Sequence, residues 1–146
     1  MKRFIAFIVI FQIVFCGNVL AQYNTGNKEL DQKLSRIDAE ASVNFSGFKA
    51  NLMGSYDISN NQIERLAVNL GMSAGDIYMT ISISDMLSIE VEQVVRVYQE
   101  HKSRGWGVMA KKLGIKPGSQ EFHALKGTSH KKGNNSKSNN SKGKKG

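Results

Sequence analysis

One ten-residue pattern is written twice in this chain, and a chain that turns the same corner twice has few folds open to it. Residues 67–76, AVNLGMSAGD, align with residues 110–119, AKKLGIKPGS, at a constant offset of 43 residues. Ala67 stands over Ala110, Leu70 over Leu113, Gly71 over Gly114, Met72 over Ile115 and Gly75 over Gly118. Each copy puts a small residue where two helices cross closely, a glycine where the backbone must turn left-handed, and then an apolar residue that tucks beneath the turn. The pattern predicts an all-α fold, a small helical bundle of two related helix-turn-helix (tri-helical) units. These span residues 44–87 and 88–126 within one domain over 22–126, and an N-terminal amphipathic helix over 27–42 precedes them.

Helical periodicity fills in the units. Residues 28–41 carry Leu30, Leu34, Ile37 and Ala41 on one stripe, with Asn27 as the cap and Glu29 four residues before Lys33 for an ion pair. Such a helix docks on the bundle or, alternatively, serves as a free arm for a partner. Phe45, Phe48, Leu52 and Met53 follow at helical spacing, although Gly47 and Gly54 weaken a helix there. Asn61 and Glu64 stand in capping-box relation ahead of Ile63, Leu66, Ala67 and Leu70, and Gly71 stops that run. Ser73 with Asp76 opens IYMTISISDMLS, where Ile77, Met79, Ile81 and Ile83 alternate as in a strand while Ile77, Thr80, Ile81 and Ser84 share a helical face. Periodicity does not choose between the two. The repeat does, because its second copy leads into QEFHALK, a short helix-like segment capped by Ser119, and residues 77–87 are therefore read as a helix. In EVEQVVRVYQEHKSR, Val91, Val94, Val95 and Tyr98 form the buried side of a further helix that ends at Gly105.

The two ends differ from the middle. Lys2 and Arg3 precede an apolar run from Phe4 to Phe15, and Val19 and Ala21 occupy the small-residue positions before a cut at Gln22. Residues 1–21 read as a secretory signal peptide, and the protein as exported, periplasmic or secreted. The run falls short of the roughly 20 apolar residues of a spanning helix, so no transmembrane span is expected after signal removal. Lipid attachment at Cys16 is disfavoured by Phe15, which stands where lipoprotein signals carry Gly, Ala or Ser. Signal removal also takes away the single cysteine, and with it any disulfide or thiolate ligand. Residues 22–125 hold 11 Lys and Arg against 12 Asp and Glu, whereas residues 126–146 hold seven lysines and no acid. Residues 127–146 have no apolar side chain to bury and repeat the word NNSK, so a disordered tail is expected. Its Lys131, Lys132, Lys137, Lys142, Lys144 and Lys145 suit a polyanion, whether acidic polysaccharide, lipid headgroups or extracellular nucleic acid. A solubilising tail without a partner is the alternative.

The turn pattern is also that of helix-turn-helix DNA readers, which would put the residues after Gly118 in the place of a recognition helix and Lys111, Lys112 and Lys116 against phosphates. Against this, SQEFHALK offers Gln120, Glu121 and His123 but no Arg. Trp106, between Gly105 and Gly107, reads as a core anchor, with a stacking platform for a ligand as the alternative. His123 stands two residues from Glu121, hence on another helical face, and reads as structural or surface; His101 suits a helix C-terminus. No HExxH, phosphate-cradling glycine loop, paired-cysteine site or nucleophile elbow occurs, so no catalytic residue, metal or cofactor is assigned. Trp106, Lys111, Lys112, Lys116 and His123 remain as a contact surface, or as an envelope enzyme's site around Trp106 and His123.

The stretch RGWGVMAKKLGIKPGSQEFHALK resembles the C-terminal signature G-W-G-x-x-A-K-x-L-G-I-K-P-G-S-x-E-F-H-A-L-K of a family of small exported bacterial helical proteins. The resemblance is specific over Gly105–Lys126 and looser back to Phe45. It implies a helical exported domain and carries no catalytic residues. The reading that emerges is a non-catalytic binding or structural component of the cell envelope, contacting an unknown envelope protein and, through its tail, an anionic polymer.

Overall fold

Asn27 turns the chain into the first helix of the described residues: its side-chain oxygen accepts the Leu30 amide at 3.0 Å, and α1 runs Lys28–Val43. The computed structural model describes residues 23–127, and these contain helices and turns but no strand. Asn44 both ends α1 and caps α2 (Phe45–Ser55), accepting the Gly47 amide at 2.8 Å, so the two helices meet at a one-residue corner and pack together. α3 (Asn60–Glu64) widens into a π-helical turn over Arg65–Asn69. There follow α4 (Ala74–Leu87), α5 (Val91–His101) with a 3-10 turn over Lys102–Arg104, α6 (Trp106–Lys112) and α7 (Gln120–Leu125).

The strand-like alternation at Ile77–Ile83 has a physical cause. α4 is the central helix, packed against α1, α5, α7 and the π-helical turn, and Ile77, Met79, Ile81 and Ile83 are all buried. A helix enclosed on every side carries apolar residues all round, so its sequence shows no 3.6-residue period. Residues 77–87 are helical, as the repeat led us to expect. Enclosure also buries Thr80, Ser82 and Ser84. Ser84 donates to the Ile89 carbonyl at 2.6 Å and Ser82 lies 2.9 Å from the Tyr56 hydroxyl. The Thr80 hydroxyl is buried with no hydrogen-bond partner among the described residues.

The two corners agree in their centre and differ on both sides. Gly71 (φ +60°) and Gly114 (φ +89°) are both left-handed, and Met72 and Ile115 after them are buried. The second corner closes with the Ile115 amide on the Ala110 carbonyl (2.8 Å) and the Gly114 amide on the Lys111 carbonyl (3.1 Å), a Schellman motif. The first is one residue wider, with Met72 reaching back to the Leu66 carbonyl at 3.1 Å across the π-helical turn. Beyond the buried residue, Ser73 caps α4 at once, whereas Lys116, Pro117 and Gly118 intervene before Ser119 caps α7. Gly75 therefore lies inside α4 and Gly118 (φ +79°) in a loop, so their alignment in sequence is not an alignment in space.

Two local expectations are corrected. The capping box of α3 is Ser59 with Gln62, not Asn61 with Glu64, because the helix starts at Asn60 and Asn61 lies inside it; the Glu64 carboxylate is engaged by Lys49 at 2.7 Å. Glu29 pairs with Lys126 at 3.0 Å, and Lys33 turns instead to the Tyr78 hydroxyl and the Leu125 carbonyl. α1 is docked by these bonds and by the burial of Leu30 and Leu34, so it is part of the bundle and not a free arm. The expected signal peptide, residues 1–21, and the tail lysines, Lys131 to Lys145, lie outside the described residues. Among the described residues no helix is long and apolar enough to cross a membrane.

The unpartnered hydroxyl at Thr80 yields a direct test. Thr80→Val keeps the shape and removes a buried polar group whose isolation costs about 1–3 kcal/mol, so the variant is expected to gain about 1 kcal/mol in urea-melt stability.

Candidate functional site

The residues singled out by sequence sit on or beside α6, a helix of seven residues and too short to persist without tertiary support. That support comes from the segment Tyr23–Thr25, whose backbone turns left-handed at Asn24 (φ +48°). The Trp106 amide donates to the Tyr23 carbonyl at 2.8 Å and the Gly107 amide to the Asn24 carbonyl at 3.0 Å, satisfying two of the otherwise orphaned donors at the helix start. The glycines flanking Trp106 make this approach feasible. A Cβ on Gly105 would stand 2.6 Å from the Asn24 Cβ, and one on Gly107 would stand 2.9 Å from the Thr25 carbonyl oxygen. Gly75 leaves room for the Tyr23 phenol in the same way.

Between the glycines, Trp106 enters the core at 1 % exposure. Its indole N–H donates to one Asp76 oxygen at 2.8 Å and the Tyr98 hydroxyl donates to the other at 2.9 Å, with the two rings 5.8 Å apart. Next to this node the Tyr23 hydroxyl donates to Asp38 and lies 2.9 Å from the Ser73 hydroxyl, while Asp38 also accepts the Gly75 amide at 2.8 Å. Each carboxylate thus accepts two hydrogen bonds and ties a neighbouring segment to the N-terminal end of α4. Burial, followed by the bond to Asp38, pushes the Tyr23 phenol well above its ordinary pKa. Burial and the Asp76 charge do the same to Tyr98.

Trp106 is therefore the core anchor that its flanking glycines suggested, and its placement on the contact surface is corrected: its ring is enclosed and its one polar atom is taken. The cavity it lines is walled by Tyr23, Asp76, Tyr98, Lys102 and Met109, and His123 stands outside it, exposed on α7. The two side chains named for an envelope enzyme do not share that cavity. α7, in the position of a recognition helix, has six residues; Leu125 is buried and Glu121 and Phe122 are half-buried.

Lys111, Lys112 and Lys116 do belong to the surface. All three are exposed, the first two on the last turn of α6, where cations are favoured by the helix dipole. The structure adds Lys102 and Arg104, also exposed, on the turn leading into α6. Arg104 and Lys111 wall one open cavity of about 370 Å³ with Pro117 and Phe122. None of these five cations enters an ion pair found among the described residues. The sequence signal for Lys102 and Arg104 was the absence of any acid between Glu100 and Glu121. Among the described residues no group of three or more His, Cys, Asp or Glu side chains could hold a metal ion. In comparisons with known proteins, no family model, curated protein or solved structure matches the chain.

Two measurements probe this foundation. Gly105→Ala forces a Cβ into Asn24 at a backbone φ of +80°, and we expect a loss of more than about 2 kcal/mol in denaturant unfolding. The raised phenol pKa values mean that the protonated forms are favoured in the folded state, so the stability they confer is complete below the unfolded value of about 10 and is lost as pH climbs above it. Tyr98→Phe should lower stability at neutral pH by about 1–3 kcal/mol and flatten the alkaline limb of the stability profile.

Proposed function

We propose that this is an exported, non-catalytic helical module that binds anionic polymer, a component of the cell envelope. The observation that carries the reading is the segregation of charge. Residues 22–125 are close to neutral in sum, yet five exposed cations without carboxylate partners gather around α6, and residues 126–146 add seven lysines and no acid. A polyanion brought to such a surface releases its condensed counterions, a driving force that needs charge density and no particular sequence. α6 is held from below by Trp106 and from its start by Tyr23–Thr25, so its lysines project from a fixed platform while the lysines after Gly127 extend the same sign of charge. The export part of the proposal rests on the pattern of residues 1–21. Base-specific reading of DNA is less well supported, because a six-residue α7 with half its side chains turned into the fold offers little to a groove.

Binding to heparin and to duplex DNA should fall linearly on a log–log plot against salt. Replacing Lys111, Lys112 and Lys116 with Gln should reduce the DNA slope by about one per lysine, and deleting residues 128–146 should remove most of the affinity. Salt-independent binding, or none, overturns the proposal.

A further inference from the structure

A third cavity, about 530 Å³ in volume, opens between α1, α2 and α4, with no residue of α6 in its walls. Its size lies within the ordinary range for a small-molecule site. Ile37, Phe48 and Leu52 supply an apolar floor, and Tyr56 and Tyr78 supply two phenols. Behind Tyr78 stands Lys33, whose ammonium donates to the Tyr78 hydroxyl at 2.7 Å and to the Leu125 carbonyl at 3.1 Å and lies 4.7 Å from the Tyr78 ring centroid. Lys33 is half-buried and takes part in none of the ion pairs found among the described residues. A cation drawn out of water without a counter-charge is unfavourable, and its burial lowers the Lys33 pKa. A phenol oxygen that accepts from an ammonium keeps its own proton, which the neighbouring Tyr56 hydroxyl or a ligand acceptor can take, and donates it more strongly. The cavity thus has a donor end backed by positive charge, and an apolar floor beside which Asn44, Asn51 and Ser55 form a polar rim. Its one acid, Glu40, lies two helical turns along α1 from Lys33, about 10 Å away.

We propose that the cavity binds an amphipathic carboxylic acid: the carboxylate accepts from the Tyr78 hydroxyl in the field of Lys33, and the hydrocarbon lies on Ile37, Phe48 and Leu52. The ligand supplies the charge that Lys33 lacks and fills the space over Ile37 and Phe48.

Titration calorimetry on the exported chain with decanoate, decanol, decylammonium and acetate tests this. Decanoate should bind, decanol should bind about tenfold or more weakly, and decylammonium and acetate should show no saturable heat. Tyr78→Phe keeps the ring and should weaken decanoate about tenfold while leaving decanol unchanged. Lys33→Met should act in the same direction, and if the loss of its Leu125 bond unfolds the protein, Tyr78→Phe alone decides. Replacing Lys111, Lys112 and Lys116 should leave decanoate binding intact, which separates this site from the polyanion surface. Absence of decanoate binding, equal affinity for decanol, an unchanged Tyr78→Phe, or loss on replacing the α6 lysines would each sink the proposal.

Discussion

Enclosing α4 on every side removes water as a partner for whatever polar groups that helix carries, and most of the bundle is arranged around meeting those needs from within. Asp76 in its first turn draws in Trp106 and Tyr98, which fixes the start of α6 and the face of α5. Ser82 reaches Tyr56 at the end of α2, and Ser84 reaches the chain between α4 and α5. A carboxylate near the start of a helix is also favoured by the helix dipole, so Asp76 suits its position twice over. Each bond links α4 to a different segment. The hydrogen bonds of the central helix are accordingly what orient its neighbours, while the apolar burial of Ile77, Ile81 and Ile83 supplies the non-directional cohesion.

The same helix serves two surfaces of opposite character. From Asp76 the structure leads through Trp106 to the exposed lysines of α6, a face defined by unpaired charge. From Tyr78, two residues on, it leads to a cavity with an apolar floor and a phenol polarised by Lys33. Residues two apart on a helix point to different sides, so one buried rod separates the two without either perturbing the other. The N-terminal segment stabilises both sides of this division. Tyr23 bonds Asp38 of α1 while its carbonyl holds α6.

Much of this was legible from residue pattern where a local rule dominates. Asn27, Ser73 and Ser119 cap helices because a short polar side chain beside an apolar periodic run has a local amide to accept. Gly71 and Gly114 end theirs left-handed because no other residue type takes that conformation as cheaply. The local rules failed where a distant partner intervened. Glu64 and Glu29 both match short-range pairing patterns, yet Lys49 and Lys126 reach them from other helices. Lys102 and Arg104 went unnoticed because isolated cations look ordinary until the fold sets them on the turn into α6, with Arg104 on one cavity wall with Lys111.

By itself the amino-acid order determined the helical class, the caps, the left-handed corners and the uneven placement of charge, since each depends on the chemistry of neighbours within a turn or two. Only the tertiary structure decided which polar groups became partners, that Trp106 bonds Asp76, that Gly75 and Gly118 are not equivalent, and that Lys33 stands behind Tyr78 outside the ion pairs found among the described residues. Those outcomes depend on which helix faces come into contact around α4, and contact between segments tens of residues apart leaves no periodic trace along the chain.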